Sequence, residues 1–321
     1  MSLHPTDLLR HAVPDRRRIL GASEVAAVFE RHPWTTAYAL WAAKTQPEPE
    51  ARVETAAMRA GHEFEATIYG IVGARLGLRI IAGDAYTTRA LCVQADPTHP
   101  LGSHPDAWVL DGAQWCPVEV KTISHHRHEW PDDGVVEGLP LHYELQVWAQ
   151  LACCPAEVTH GWLAAALNFD DVRIYRIARD PALEAEMLAQ IRTWWDLHVV
   201  SMSEPAVDGS DRCAEWMRAR WPRQVSGVRE AVEGEADLIA DWREARGALA
   251  DAEAIEAVTK ARLLRAIAEA EGITCALGVA TWRAQSAMRI DVERLRAEFP
   301  DAAATCEKVS ESRVLRFRGA K

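Results

Sequence analysis

The segment Ser103–Lys121, SHPDAWVLDGAQWCPVEVK, constrains the fold more than any other stretch of the chain. Ala107–Leu110 is apolar, Asp111-Gly112 is a turn dipeptide, and an apolar run resumes over Trp115–Thr122, which together spell a β-hairpin. Side chains alternate along a strand, so Glu119 and Lys121 share one face while Val118 and Val120 share the other. Asp106 opens the first strand directly after Pro105. The hairpin therefore gathers an aspartate, a glutamate and a lysine into a small volume. A bare E-x-K is most often a solvated surface. Here it lies inside V-E-V-K-T-I, and charges in such a run must be paired, metal-bound or functional.

The 321 residues, 49% of them hydrophobic, suffice for one large domain or two ordinary ones. The net charge of −11 argues against a uniformly basic nucleic-acid coat but leaves room for a local basic channel. No apolar run approaches the roughly 18 residues of a membrane span. The first residues, MSLHPTDLLRHAVPDRRRI, lack the apolar core of a signal peptide. The cysteines (Cys92, Cys116, Cys153, Cys154, Cys213, Cys275 and Cys306) are scattered and form no C-x-x-C, which disfavours zinc and iron–sulfur sites and fits a reducing, cytoplasmic compartment.

In chain order, Ser23 reads as the N-cap of a short helix over Glu24–Phe29, preceded by Arg16-Arg17-Arg18. A capped helix start beside arginines can hold a phosphate, although spacing alone favours an ordinary cap with solvated arginines. A helix is expected over Thr36–Lys44, and a long one over residues 52–77. Met58, Gly61, Glu65, Ile68 and Val72 form one stripe of the long helix, on which the carboxylate of Glu65 is out of place unless it is ion-paired or belongs to a site. Strands are expected near Leu78–Ala82 and Ala85–Val93. After the hairpin, S-H-H-R-H-E reads as a mobile loop whose His125, His126 and His128 lack a regular metal-ligand spacing. Leu141–Cys153 is a strong helix with Tyr143, Gln146 and Gln150 on one face. A second hairpin is expected over Glu157–Ile177, then a helix from Asp180-Pro181 to about His198. Pro205–Arg223 reads as irregular and as a domain boundary. Beyond it come a long amphipathic helix over Asp237–Gly272, a hairpin over Ile273–Ile290, a short helix over Asp291–Phe299 and a last strand at Val314–Phe317.

The order of these features resembles the PD-(D/E)xK nuclease superfamily and, within it, the YqaJ-type viral recombinases, relatives of phage lambda exonuclease. The matching words are R-x-x-x-x-x-A-S-E at Arg16–Glu24, G-x-x-x-E at Gly61–Glu65, P-D at Pro105-Asp106, E-V-K at Glu119–Lys121 and Y-x-x-Q at Tyr143–Gln146. Two positions depart from the pattern: Trp148 stands where many members have a second glutamine, and His104 where a serine is common.

The resemblance implies an α/β (α+β) restriction-endonuclease-like core. A mixed central β-sheet would be flanked by helices over residues 1–204, with a helical and β-hairpin C-terminal extension over 205–321 for assembly or partner contact. It implies Mg²⁺ or Mn²⁺ held by Asp106, Glu119 and the Val120 carbonyl, with Glu65 at a second ion or acting through water. Lys121 would orient or deprotonate the attacking water, Gln146 and Tyr143 would steady the lysine and the phosphate, and Arg16 and Ser23 would hold a 5′-phosphate. The implied activity is 5′→3′ exonucleolytic digestion of double-stranded DNA ends in a bacterial cytoplasm. The implied partners are a single-strand annealing protein and further copies of the chain in a homo-oligomeric ring. Another PD-(D/E)xK nuclease, of repair or CRISPR-associated type, and a non-catalytic DNA-binding module on the same fold are the alternatives.

Overall fold

The computed structural model describes residues 16–46, 56–82, 93–94, 99–123, 127–168, 170–288 and 290–307. The chain divides into two compact units, Met1–Trp221 and Pro222–Lys321.

The first unit begins with a 3₁₀ turn at Arg16–Arg18, strand β1 (Leu20–Gly21), a second 3₁₀ turn (Ala22–Glu24) and the single helical turn α1 (Val25–Val28). Ser23 is therefore not a helix cap: it lies inside the 3₁₀ turn and is exposed. The capping is done by Glu24, whose carboxylate reaches back to the Gly21 N–H at 2.7 Å and also accepts from the buried ammonium of Lys44 at 2.6 Å. Helix α2 (Ala37–Thr45) starts at Thr36, whose hydroxyl accepts from the Ala39 N–H. Helix α3 (Ala56–Leu76) carries the expected stripe, with Ile68 and Val72 buried. The side chain of Met58 and the expected strand before Val93 lie outside the described residues, apart from Val93 itself.

Strands β2 (Arg79–Ala82), β3 (Val93–Gln94), β4 (Leu101–Ser103), β5 (Ala107–Asp111) and β6 (Gln114–Thr122) follow. Gly112, at φ +61°, makes the β5–β6 turn in the left-handed region that glycine enters without cost. Helix α4 (Leu141–Ala152) leads to the antiparallel pair β7 (His160–Ala166) and β8 (Val172–Ala178). Asp180 caps helix α5 (Pro181–Trp194), which runs on into one π-helical stretch over Trp195–Val200. The expected irregular stretch after Pro205 contains instead helix α6 (Asp211–Arg220), capped by Ser210. Its five arginine and acidic positions hide a two-residue anchor, Cys213 and Trp216, spaced three apart and buried in the core of the first unit. That anchor is why the unit closes at Trp221 rather than at 204.

The main sheet has the order β2-β5-β6-β7-β8, antiparallel except for the parallel β6–β7 pair. Strand β6 is central, and Trp115 through Val120 are all buried. This explains the apolar setting of E-x-K. A smaller sheet joins β1, β4 and β3, with β1 parallel to β4. That pairing ties the 22–24 turn to the residues leading into Asp106. Gly161 on β7 lets α4 come close, since a Cβ there would meet Val147 at 2.8 Å.

The second unit holds helix α7 (Glu235–Ile267), the hairpin β9 (Gly272–Cys275)–β10 (Gly278–Thr281) and the short helices α8 (Val292–Glu298) and α9 (Pro300–Thr305). The hairpin is shorter than expected, α8 is capped by Asp291, and α9 was not expected. The last expected strand lies outside the described residues.

Candidate active site

The β5–β6 register pairs Ala107 with Val118, so Asp106, one step before β5, stands opposite Glu119. The Val120 N–H donates to Asp106 Oδ2 at 2.8 Å and fixes that carboxylate against β6. Glu119 is only 2% exposed. Lys121 Nζ donates to its Oε1 at 2.5 Å, and the Gln150 side-chain amide donates to its Oε2 at 2.5 Å. The lysine ammonium also sits 5.6 Å from the centre of the Tyr143 ring.

The charges are unbalanced. Burial, then the neighbouring Glu119 and, more weakly, Glu65 push the Asp106 pKa well above the usual carboxylate range, against the opposing pull of Lys121 and the Val120 N–H. Burial lowers the pKa of Lys121, but the Glu119 and Asp106 carboxylates override it, and the net shift is upward. Glu65 accepts from the Tyr69 hydroxyl at 3.2 Å and acts on Asp106 through the field rather than by contact. Among the described residues, no three His, Cys, Asp or Glu side chains converge closely enough to hold a metal ion. The donor set expected from the sequence is Asp106, Glu119 and the backbone oxygen of Val120. It is all oxygen and carries excess negative charge, which suits a hard divalent cation.

Of the expected site residues, the fold brings together Asp106, Glu119, Val120, Lys121 and Tyr143. Gln146 is buried on the same helix, one turn beyond Tyr143. Arg16 opens the first 3₁₀ turn, and its side chain lies outside the described residues. His125 and His126 are also outside them, while His128 is exposed. The residues just after that loop are pinned: Arg173 donates to the carbonyls of Trp130 and Pro131, and Asp133 accepts from the Ile174 N–H.

Gln150 was visible on the Tyr143–Gln146 face but was not expected to be a site residue. The departure at Trp148 explains its role. Two residues after Gln146, a side chain leaves the Gln146 face, and the Trp148 indole donates to the Ala178 carbonyl on β8. Four residues after it, Gln150 returns to that face and reaches Glu119. A ring cluster was missed as well. His32, Trp34 and His142 meet edge to edge, with centroids 5.6 Å apart for His32–Trp34 and 5.5 Å for Trp34–His142, and His142 adjoins Tyr143 at 3.9 Å. Burial, His32 and Lys121 bring the His142 pKa down to about 4.

The half-buried Asp106 and the buried Glu119, with Lys121 two residues beyond, thus meet at the central strand of a helix-flanked mixed α/β sheet. Residues 13–157 match the family model of the YqaJ-like viral recombinase domain. The chain is 21% identical to the Bacillus subtilis YqaJ protein over 310 residues, which is 96% of this chain and 92% of that one. Among solved structures it is similar to an alkaline exonuclease of Laribacter hongkongensis, at 19% identity and a TM-score of 0.41 over 58% of this chain and 91% of the other. The same exonuclease in complex with dAMP matches at 19% identity and a TM-score of 0.43, over 64% and 94%. Among the described residues no helix is long and apolar enough to cross a membrane.

Proposed function

We propose that this protein is a Mg²⁺- or Mn²⁺-dependent 5′→3′ exonuclease that digests linear double-stranded DNA from its ends. The observation that carries the reading is Asp106 held opposite Glu119 on a buried strand, with Lys121 beside them. Asp106, Glu119 and the Val120 carbonyl would hold the ion, which when bound supplies Lewis-acid stabilisation of charge on the phosphate. Gln150 and Lys121 orient the Glu119 carboxylate by occupying both of its oxygens. Lys121, whose pKa the neighbouring Glu119 and Asp106 carboxylates raise, donates to Glu119. It would orient or deprotonate the attacking water. Tyr143 backs the ammonium from the other side.

A 5′-terminal phosphate is assigned to Arg16 and the exposed Ser23 hydroxyl. The basis is the match to the family motif, since Ser23 is not a helix cap. In this reading the enzyme supplies single strands to an annealing protein in the bacterial cytoplasm, and the second unit mediates assembly into a ring. The test is digestion of linear duplex labelled at either the 5′ or the 3′ end, with Mg²⁺ and with EDTA, on phosphorylated and hydroxyl ends. Early release of the 5′ label, only with Mg²⁺ and faster from phosphorylated ends, is the expected result. Release in EDTA, or of the 3′ label first, sinks the proposal.

A further inference from the structure

The His32–Trp34–His142 cluster has no role in the chemistry just described, yet it is built like a contact surface. Trp34 is 64% exposed, more than any other tryptophan among the described residues. Burying such a ring is favourable, and a fold that leaves it in water holds it there for a reason. The ring is also held firmly. His32 Nδ1 accepts from the Trp34 N–H at 3.1 Å and from the Thr35 N–H at 2.9 Å, so this imidazole pins the loop and carries its proton on Nε2. The His142 ring meets the indole nearly perpendicular, at 87°. From His142 the rings continue through Tyr143, which stacks near Trp130 and lies under the Lys121 ammonium. Burial lowers the pKa of both histidines, so near neutral pH the cluster presents uncharged aromatic surface.

An exposed, braced indole joined by successive ring contacts to a phosphate-handling lysine suits one chemistry above others: the face of a nucleobase. Every base has such a face, so the contact tolerates any sequence, as an end-degrading enzyme requires. We infer that Trp34 stacks on a base of the DNA strand engaged at Lys121, close to the scissile phosphate. The inference rests on the nuclease reading and adds a substrate-positioning residue to it.

The experiment compares two linear duplexes, one natural and one with abasic sites replacing the first nucleotides of the degraded strand. The unaltered protein is expected to prefer the natural end. Trp34→Ala should reduce that preference, on the order of five- to a hundredfold, the range of base–aromatic stacking. Trp34→Phe should keep most of it, and because the ring is exposed both variants should melt as the unaltered protein does. No preference in the unaltered protein, or the same preference in Trp34→Ala, overturns the inference. If the unaltered protein cleaves neither duplex, the nuclease reading fails by itself. Fluorescence anisotropy of the same two duplexes then decides the matter. Loss of a binding preference in Trp34→Ala supports stacking, and an unchanged or absent preference rejects it.

Discussion

Strand β6 and helix α7 break the same rule in opposite directions. On β6, a glutamate at 2% exposure lies in the core of the first unit, bonded to the half-buried lysine two residues on. On α7, Leu238, Leu249, Ile255 and Val258 stand in solvent at 67%, 49%, 69% and 53% exposure. Charge in a core costs free energy unless it is paired, and apolar surface in water costs free energy unless something covers it. The first anomaly is answered within its own unit: Lys121 on the same strand and Gln150 on α4 both donate to Glu119. Nothing described in the second unit answers the other, whose buried apolar residues there are Ile267 and Ala303. The difference sets a buried charge that its own unit satisfies against an apolar surface that the described residues of its unit leave uncovered.

The largest expected effect separates function from stability at β6. In Asp106→Asn the side chain keeps its shape and an oxygen for the Val120 N–H but loses its charge. Hydrolysis should fall by at least about a thousandfold, the scale of removing a metal-ion contribution to phosphate charge. Melting of the metal-free protein should move the other way, upward by about 2–4 °C for roughly 1 kcal/mol of relieved repulsion in a domain of this size. The pH dependence has a definite sign. The folded-state pKa of Asp106 is raised, so its contribution to stability is complete below the ordinary carboxylate pKa and is lost as pH rises through the raised value. Asp106→Asn should abolish that alkaline loss in the metal-free protein. A variant that melts lower, or that keeps its activity, would show that β6 carries an ordinary ion pair.

A smaller effect should come from the positioning glutamine. Gln150→Leu leaves Glu119 Oε2 buried without its donor while conserving volume. Losing the hydrogen bond that orients a metal-binding group costs about 10–100-fold. Part of the loss should appear as a higher Mg²⁺ concentration for half-maximal rate. A metal titration that superimposes on the unaltered protein's would make Gln150 a packing residue only.

The central hairpin was legible because its signals are local: a turn dipeptide, an alternating pattern and a proline before Asp106. The family words pointed to Asp106, Glu119 and Lys121, and the hairpin brings the three together because strand register follows from short-range pairing. What was not legible depends on tertiary neighbours. Glu24 looks like a first-turn acid and is in fact the partner of Lys44, twenty residues away. Gln150 became distinguishable from Gln146 only once α4 was laid against β6. Helix α6 was hidden by its arginines, because two buried side chains suffice to dock it when Ser210 supplies the cap. The exposed seam of α7 is apolar enough to be read as amphipathic, but sequence does not say whether its apolar side meets a core.

The smallest effect on chemistry, and the most telling for the comparison, belongs to that seam. Leu238, Trp242, Ala245, Leu249 and Ala252 follow one another at spacings of four, three, four and three along the 33-residue helix, and Leu263 returns to the same side two heptads after Leu249, past Glu256. That spacing keeps a stripe in register with a second helix of the same kind, and small residues alternating with large ones let two backbones approach. The occupant this favours is another copy of the chain, as ring assembly requires. Leu249→Glu places a charge in the middle of the seam while facing no residue of the described core. The expected outcome is a lower oligomeric mass by sedimentation, with the initial rate on short duplexes nearly unchanged and only the length of each digestive run reduced. Should the mass stay the same and melting fall instead, α7 covers part of its own chain, and the contrast between a self-sufficient unit and an unsatisfied one disappears.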